Sequence, residues 1–544
     1  MSSSIRTALR AVAALLVLAC PTLALGTLIT FIHVNDSHSH LEATGPKDAH
    51  LDGTLGGIAK AATVIGTLEA TAPNPILVHA GDLFQEDLFF YAALGPQDTP
   101  LLSVPELELL AGLNLAVMTV GNHELVFGPG ALADFVAGAR AYLQSAGLSP
   151  PDVLSANLDL EQAGLSGLVV PNVVKEVGGV KVGLFGLTIR DATSQSAPFL
   201  GTTPDELAAI ARTEVAALRG LGAQAVVCLS HLGLTFDEYL AAQVSGLDAI
   251  VGGHDHLIAV APEFVLGPDG KEVPIVRAGA FYKWVGKLTL SVENGAVSFH
   301  DYQLYTVDAH VQRTPAVAAA VRALESGIDA LYGEDLWHAP IAFAPLDVAK
   351  DVEDSSPWRD SGMGDLLTDA YRFKTGTDLA LTVNGFFTED LVHGLVVRDD
   401  AFRIVGDGFD PFAPWDSTAH LGFPLYRIAL DGQNLMTALA TAVALGGDYF
   451  VQVSGMRYVM DSRTDPPSLV AAYVHGKPVD PARVYTATVN LGVLTGLAQF
   501  PNVALAGEPT LAGVDEFTAV SDYVSLLKVL LYFPQGRVLD LAKL

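Results

Sequence analysis

The sequence predicts a layered α/β fold followed by a second, mixed α+β domain. From residue 27 to about residue 307, short apolar runs rich in β-branched residues alternate with amphipathic runs of helical period. Several apolar runs end in polar residues beside glycines, as in sheets that carry a site at their strand ends. Half of the 544 residues are hydrophobic and 17% are charged, which is enough to build the cores of two or three domains.

The alternation gives a definite order of elements. In the first part, the pattern predicts strands at 28–34, 75–79, 115–120, 153–156, 180–187, 225–229, 247–251 and 274–277, and helices at 57–69, 129–146, 204–221 and 236–244. A later strand at 287–292 alternates more simply and is predicted to be antiparallel. One helical pattern over 313–332 is interpreted as a linker. The second domain, 333–544, is predicted to contain helices at 364–374 and 435–444 and strands at 379–383, 426–430, 453–460 and 484–489.

Polar residues follow five of the apolar runs, where each predicted strand ends. A carboxylate and an imidazole two residues apart can converge on one cation. One such string also fits a satisfied polar loop, but five at the same kind of position indicate a common site. Because they contain no thiolate, they suit Mn, Fe, Co, Ni or Zn ions better than a structural zinc cage. The strings are Asn35-Asp36-Ser37-His38, His79-Ala80-Gly81-Asp82, Gly121-Asn122-His123-Glu124, Ser230-His231 and Gly252-Gly253-His254-Asp255-His256.

The charge of the chain restricts its partners. A net charge of -30 and a pI of about 4.7 disfavour binding to nucleic acid polymers and to anionic membranes. A small anionic substrate would need local positive charge, and metal ions could supply it.

The first residues read as an export signal. Arg6 and Arg10 precede an apolar run that is too short to span a bilayer, and small residues predict cleavage after Gly26. The protein is therefore expected to be exported, to a periplasmic or extracellular location, with a lipoprotein anchor at Cys20 as the alternative. No later stretch is predicted to cross a membrane. After cleavage Cys228 is the only cysteine, and its apolar surroundings indicate a core position.

Taken in order, the strand-end strings resemble the calcineurin-like metallophosphoesterases. With the C-terminal half included, the chain resembles the two-domain 5'-nucleotidase family of exported phosphatases. The resemblance implies a four-layered α/β/β/α metallophosphoesterase domain over 27–312, a linker helix over 313–332 and a C-terminal substrate-recognition domain over 333–544.

The resemblance also implies two divalent metal ions, of unknown identity among Mn, Zn, Fe, Co and Ni. Asp82 would bridge them, and a hydroxide shared by the ions would attack phosphorus in line. Asn122 and His123 would be catalytic, with His123 stabilising the transition state or protonating the leaving oxygen. The implied ligands are Asp36, His38, Asp82 and His256 for one ion, and Asp82, Asn122, His231 and His254 for the other.

The chain departs from the family pattern next to the catalytic histidine. The family usually has Asp two residues after G-N-H-E, where this chain has Val126. Loss of that carboxylate removes a hydrogen bond that orients His123 and lowers the basicity of its ring, so reduced turnover is expected.

The substrate pocket departs further. Three arginines of the family are replaced: His40 and Pro357 stand at two of the positions, and Thr388 or Glu389 at the third. Three guanidinium groups for bidentate anion recognition are thereby lost. Two stacking positions align with Leu425 and Phe500, of which Phe500 also fits an ordinary core aromatic. The candidate substrate contacts are His40, Phe500 and Asn384, which opens the stretch Asn384-Gly-Phe-Phe-Thr-Glu389.

The sequence thus favours an exported dinuclear phosphoesterase acting on small phosphate esters, with nucleotides or their derivatives first among them. One alternative is a weakly active or inactive binding protein on the same fold. Another is a hydrolase of a non-nucleotide phosphodiester or of a sulfur ester. The oligomeric state does not follow from the sequence.

Overall fold

The structure, a computed structural model, describes residues 26–93, 105–191, 193–332, 334–408 and 421–544. The predicted export signal, with Arg6, Arg10 and Cys20, lies outside the described residues, apart from Gly26 at its predicted cleavage site. Within the described part of the chain, no helix combines the length and apolar character needed to cross a membrane.

A six-stranded sheet forms around the first predicted strand. Thr27–Val34 pairs in parallel with Pro75–His79 and antiparallel with Trp284–Glu293, so the strand predicted at 287–292 has the expected direction. Its interior side chains Ile29, Phe31 and Ile32 are fully buried. The strand order is Ala296–Thr306, Trp284–Glu293, Thr27–Val34, Pro75–His79, Leu115–Thr119 and Asp152–Leu154.

A second six-stranded sheet packs face to face on the first. Phe31 and Val78 of the first sheet share one apolar core with Val182, Leu229 and Val251 of the second. The free thiol of Cys228 is buried on the opposite face of the second sheet, as predicted. The strand order is Glu263–Leu266, Glu272–Val276, Ala249–Gly252, Ala225–His231, Val180–Thr188 and Asn172–Val177.

Helices cover the outer faces of both sheets. Helix Pro204–Gly220 begins at a capping box, in which Thr203 and Glu206 bond each other's backbone N–H. Together with the two sheets, these helices make four layers, α/β/β/α, which confirms the layered prediction. The helices before residue 313 are Ile58–Thr71, Pro105–Gly112, Pro129–Ser145, Pro204–Gly220 and Leu234–Gln243.

The helix predicted over 313–332 is found as Pro315–Tyr332. Its apolar stripe, including Val321 and Ile328, packs against helix Ile58–Thr71 and joins a core cluster that continues into the C-terminal half. The later helices are Gly362–Thr375, Arg398–Arg403, Gly432–Leu445, Leu491–Ala498 and Glu516–Leu527.

The described residues of the C-terminal half form two further sheets of more than two strands. One has the order Val451–Ser454, Leu379–Val383, Val484–Asn490, Pro424–Asp431 and Thr510–Asp515; the other has Lys477–Pro478, Ser468–Val474, Met456–Asp461 and Val538–Asp540. Two short pairs also form, Ala342–Ala344 with Gly394–Val396 and Thr44–Lys47 with Gly53–Leu55.

The prediction of a single strand at 453–460 is wrong. The chain forms two strands there, Val451–Ser454 and Met456–Asp461, and they belong to different sheets. Gly455 separates them with a left-handed φ of 78°, and a Cβ at this position would lie 2.1 Å from the carbonyl oxygen of Asp378. The break therefore depends on glycine, whereas the apolar pattern runs on across it.

Candidate metal centre

The five polar strings converge where the two sheets meet. Thr27–Val34, Pro75–His79 and Leu115–Thr119 are parallel neighbours in the first sheet, and Ala225–His231 and Ala249–Gly252 are parallel neighbours in the second. Because parallel strands end at one edge of a sheet, the side chains that follow them come together there. Each string occurs just after its strand or at its last residue.

One group of donor atoms comes from Asp36, His38 and His256. The Nε2 atoms of His38 and His256 lie 3.2 Å apart, and His256 Nε2 lies 4.0 Å from Asp36 Oδ1. Two imidazole nitrogens at this distance suit a shared cation better than a shared proton, because both can offer lone pairs.

A second group surrounds His231. Its Nε2 lies 2.9 Å from Asp82 Oδ2 and 3.1 Å from Asn122 Oδ1, and His254 Nδ1 lies 3.2 Å from the same amide oxygen. Asp82 Oδ2 also lies 3.7 Å from His38 Nε2. The Asp82 carboxylate is thus placed between the two groups.

Close approach at the centre requires unusual backbone. Five candidate ligands have left-handed φ angles between 47° and 84°: Asp36, His38, Asp82, His254 and His256. Each such residue costs on the order of 1–3 kcal/mol, so the fold places strain at this point. A Cβ on Gly121 would lie 2.0 Å from Asp82 Oδ1, which explains the glycine before Asn122.

Second hydrogen bonds fix the ligand rings. His38 Nδ1 donates to the Phe84 carbonyl at 3.1 Å and His231 Nδ1 to the Ala80 carbonyl at 2.6 Å, which directs Nε2 of both rings into the centre. Asn122 is oriented in the same way, because its Nδ2 donates to Thr193 Oγ1 at 3.0 Å.

Glu124, the last residue of its string, has a supporting position. Its buried carboxylate accepts the backbone N–H groups of Gly121, Asp82 and Leu83 at 2.6, 3.1 and 2.6 Å. It therefore holds the Asp82 turn against the Asn122 turn.

The protonation of the centre follows from burial. Burial lowers the pKa of His256 to about 3 and that of His254 to about 4, so both rings are neutral and able to bind metal. Burial would also lower the pKa of His231, but Asp82 outweighs it and raises that pKa to about 10. A cation bound between His231 and Asp82 would take the place of that proton.

The donor set fits divalent cations. Its atoms are imidazole nitrogens, carboxylate oxygens and one amide oxygen, a mixture that borderline first-row ions prefer. In the part of the chain that the structure describes, three clusters each bring their ligand atoms within 4.8 Å of one another. They are Asp36, His38 and His256; Asp36, Asp82 and His231; and His38, Glu86 and His123. The third includes Glu86, which the sequence analysis did not single out.

His123 lies at the edge of the centre, with its ring edge-on to that of His38 at 4.7 Å. Its Nδ1 lies 2.9 Å from Gln85 Oε1, and its Nε2 lies 3.8 Å from Glu86 Oε1. Burial would lower the pKa of His123, but Asp82 and Glu86 raise it to about 9. Nothing in the string Asp82-Leu-Phe-Gln85-Glu86 marks Gln85 as a partner of His123, so sequence reasoning missed it.

His40 and Glu389, which stand at two positions where the family has arginine, contact each other. The ring of His40 is buried against Phe281, with centroids 4.1 Å apart, and its Nε2 lies 3.4 Å from Glu389 Oε2. Glu389 also forms an ion pair with Lys283. His40 therefore contacts the C-terminal half through Glu389.

Asn384 and Phe500 lie near a cavity in the C-terminal half. Asn384 is half-buried and accepts a hydrogen bond from Gln452 Nε2 at 2.9 Å. Phe500 lines an apolar cavity of about 100 Å³, together with Phe386 and Tyr449. Leu425, the other aligned stacking position, is fully buried in a core cluster away from that lining.

The chain matches two family models. Residues 29–257 match the calcineurin-like phosphoesterase model, and residues 341–504 match the model of the 5'-nucleotidase C-terminal domain. Human 5'-nucleotidase is 25% identical over 548 residues, which cover 94% of this chain and 90% of that protein. Apyrase from Aedes aegypti is 28% identical over 464 residues, covering 80% of this chain and 76% of that protein.

A solved structure is similar to nearly the whole chain. The 5'-nucleotidase precursor from Thermus thermophilus superimposes with a TM-score of 0.76 at 27% identity, covering 94% of this chain and 99% of that one. Because the two matched models together span most of the sequence, the chain belongs to the two-domain 5'-nucleotidase family and is a metal-dependent phosphoric ester hydrolase.

Proposed function

We propose that the protein is an exported, dinuclear phosphoesterase that releases phosphate from nucleotides or nucleotide derivatives. The observation that carries the proposal is the placement of Asp82 Oδ2, 2.9 Å from His231 Nε2 and 3.7 Å from His38 Nε2. A carboxylate shared by two ligand groups is what a pair of adjacent ions requires.

The proposed roles divide between ions and side chains. Two divalent ions, when bound, supply Lewis acidity that acidifies water and neutralises phosphoryl charge. Asp36, His38, Asp82 and His256 would hold one ion, and Asp82, Asn122, His231 and His254 would hold the other. His123 keeps a proton on Nε2, since Asp82 and Glu86 raise its pKa, and donates it to the leaving oxygen.

The C-terminal domain is proposed to select the substrate, with boundaries at 27–312 for the catalytic domain, 313–332 for the linker helix and 333–544 for the recognition domain. Phe500, with Phe386 and Tyr449, offers aromatic faces to a flat ring, and Asn384 offers a neighbouring amide. His40 contributes indirectly, by holding Glu389.

Positive charge near the centre comes from lysine. Lys350 Nζ donates to the carbonyls of Phe387 and Thr388 at 3.5 and 3.1 Å, and its charge adds to the lowering of the pKa of the half-buried His256. This lysine is proposed to attract the anionic substrate. Lysine offers a point charge in place of a guanidinium fork, so weaker discrimination between anions is expected.

The test is phosphate release by the purified protein with Mn²⁺ on four substrates: AMP, a UDP-sugar, a nitrophenyl phosphate and its diester. His123→Ala should lower the rate by about 10²- to 10⁴-fold while bound metal is retained. His300→Ala replaces an exposed histidine in the same way and should leave the rate unchanged.

The substrate pattern separates the alternatives. Turnover of AMP that His123→Ala abolishes supports a nucleotidase. Faster hydrolysis of the diester would identify the protein as a phosphodiesterase. Phosphate release from simple esters but not from AMP would mean that the C-terminal domain recognises a ligand other than a nucleotide. No release from any ester, with two metal ions bound per chain, would sink the proposal and favour the binding-protein alternative.

A further inference from the structure

The turn between Asp82 and Asp87 places an amide against the proposed catalytic histidine. Gln85 Oε1 lies 2.9 Å from His123 Nδ1, and the Gln85 side chain is buried. Gln85 and Glu86 both have left-handed φ angles, 66° and 65°. Two consecutive non-glycine residues in this conformation destabilise the fold, and such strained residues cluster at functional sites, where side chains need a fixed orientation.

An imidazole that moves a proton at one nitrogen needs its other nitrogen fixed. The usual partner is a carboxylate or a carbonyl oxygen, which holds the ring in one orientation and one tautomer. Val126, three residues after His123, has no polar side-chain atom, and its backbone N–H is bonded to the His123 carbonyl. The Gln85 amide oxygen can accept the Nδ1 proton and leave Nε2 facing the centre.

A neutral acceptor also suits the charge around His123. Asp82 Oδ1 accepts the His123 backbone N–H at 2.9 Å, and Glu86 Oε1 lies 3.8 Å from Nε2. A third carboxylate beside the ring would repel an anionic substrate further. An amide gives the orienting hydrogen bond without that charge.

We infer that Gln85 is the positioning residue of the catalytic histidine in this protein, acting through its amide oxygen on His123 Nδ1. The inference rests on the proposed function, because it assigns a role to His123 in catalysis. It also alters the expectation of reduced turnover that followed from Val126. Gln85, from a different loop, supplies the hydrogen-bond acceptor that Val126 lacks.

The experiment compares Gln85→Ala, Gln85→Leu and Gln85→Glu in the full chain with Mn²⁺. Gln85→Ala and Gln85→Leu should lower kcat by about 10- to 100-fold with KM within about twofold and bound metal unchanged. Gln85→Glu retains an acceptor and should keep at least about a third of kcat. Gln144→Ala, at an exposed position, is the matched control.

A double variant distinguishes positioning from general damage. If Gln85 acts through His123, then Gln85→Ala added to His123→Ala should cause no further loss of kcat. Losses that multiply would overturn the inference, as would a Gln85→Leu variant with unchanged kcat.

A spectroscopic signal tests the contact without turnover. In protein labelled with ¹⁵N-histidine, His123 Nδ1–H should give a slowly exchanging resonance that His123→Ala removes and Gln85→Leu removes or shifts. If no ester releases phosphate, the proposed function is wrong. The resonance still shows whether Gln85 accepts a hydrogen bond from His123 Nδ1. Its persistence unchanged in Gln85→Leu would refute the role of Gln85.

Discussion

At the scale of single residues, hydrogen bonds distinguish the buried histidines of the centre from a buried histidine elsewhere in the core. His33 shows the contrast. It lies in the first strand with its ring stacked on Tyr302 at 6.0 Å, and among the described residues neither ring nitrogen has a hydrogen-bond partner. In the centre, by contrast, His38 and His231 each donate Nδ1–H to a backbone carbonyl, which directs Nε2 toward the other candidate ligands.

His33 makes stability sensitive to acid. Burial lowers its pKa to about 3, whereas in the unfolded chain it is about 6.5. Between these values the unfolded state binds the extra proton, so stability is fully present above about pH 6.5 and is lost as the pH falls. At pH 5 the loss is about 2 kcal/mol, as an upper bound.

His33→Leu should therefore narrow the difference in unfolding free energy between pH 8 and pH 5 by about 2 kcal/mol. Urea unfolding at the two pH values measures it, with His300→Leu at an exposed position as the control. An equal acid loss in wild type and His33→Leu would show that His33 does not titrate on unfolding.

At the scale of secondary-structure elements, one glycine decides how two sheets divide a continuous apolar run. Gly455 lies between Val451–Ser454 and Met456–Asp461 in a left-handed conformation, against the carbonyl of Asp378. Gly476 has nearly the same φ, 76°, but a Cβ there would meet nothing within 4 Å.

The two glycines form a matched pair for mutation. In both alanine variants the left-handed backbone costs about 1 kcal/mol. Only in Gly455→Ala does the new Cβ also collide with backbone. Gly455→Ala should therefore be less stable than Gly476→Ala by about 1–3 kcal/mol. Urea midpoints measure the difference. Equal midpoints would mean that the strands can move apart without cost.

At the scale of the whole molecule, a buried cation joins the two halves of the chain. Arg403 Nε lies 2.7 Å from Asp87 and 3.0 Å from Asp399, and Nη2 donates to the Glu42 carbonyl at 3.2 Å. Asp87 follows the turn that carries Gln85, so this contact connects the C-terminal half to the loop beside His123.

Arg403→Met should destabilise the protein by about 3–5 kcal/mol, because it leaves the carboxylates of Asp87 and Asp399 buried without their cation. Arg463→Met removes an exposed arginine paired with Asp461 and should change stability by less than about 1 kcal/mol. Denaturant unfolding compares the two. A loss below about 1 kcal/mol for Arg403→Met would show that the two halves are held by other contacts.

The sequence by itself determined the layered fold and the strand-end positions of the candidate ligands, while the division of those ligands between two ions stays a prediction from the family resemblance. Polar residues after apolar strands are visible locally, and parallel pairing gathers them at one edge of each sheet, so Asp36, Asp82 and His231 could be assigned to strand-end positions of one common site. Tertiary structure decided the rest. The contact of Gln85 with His123 depends on a strained turn, that of His40 with Glu389 depends on packing between the halves, and the break at Gly455 depends on the nearby Asp378 carbonyl. Such contacts join residues whose spacing along the chain carries no periodic signal.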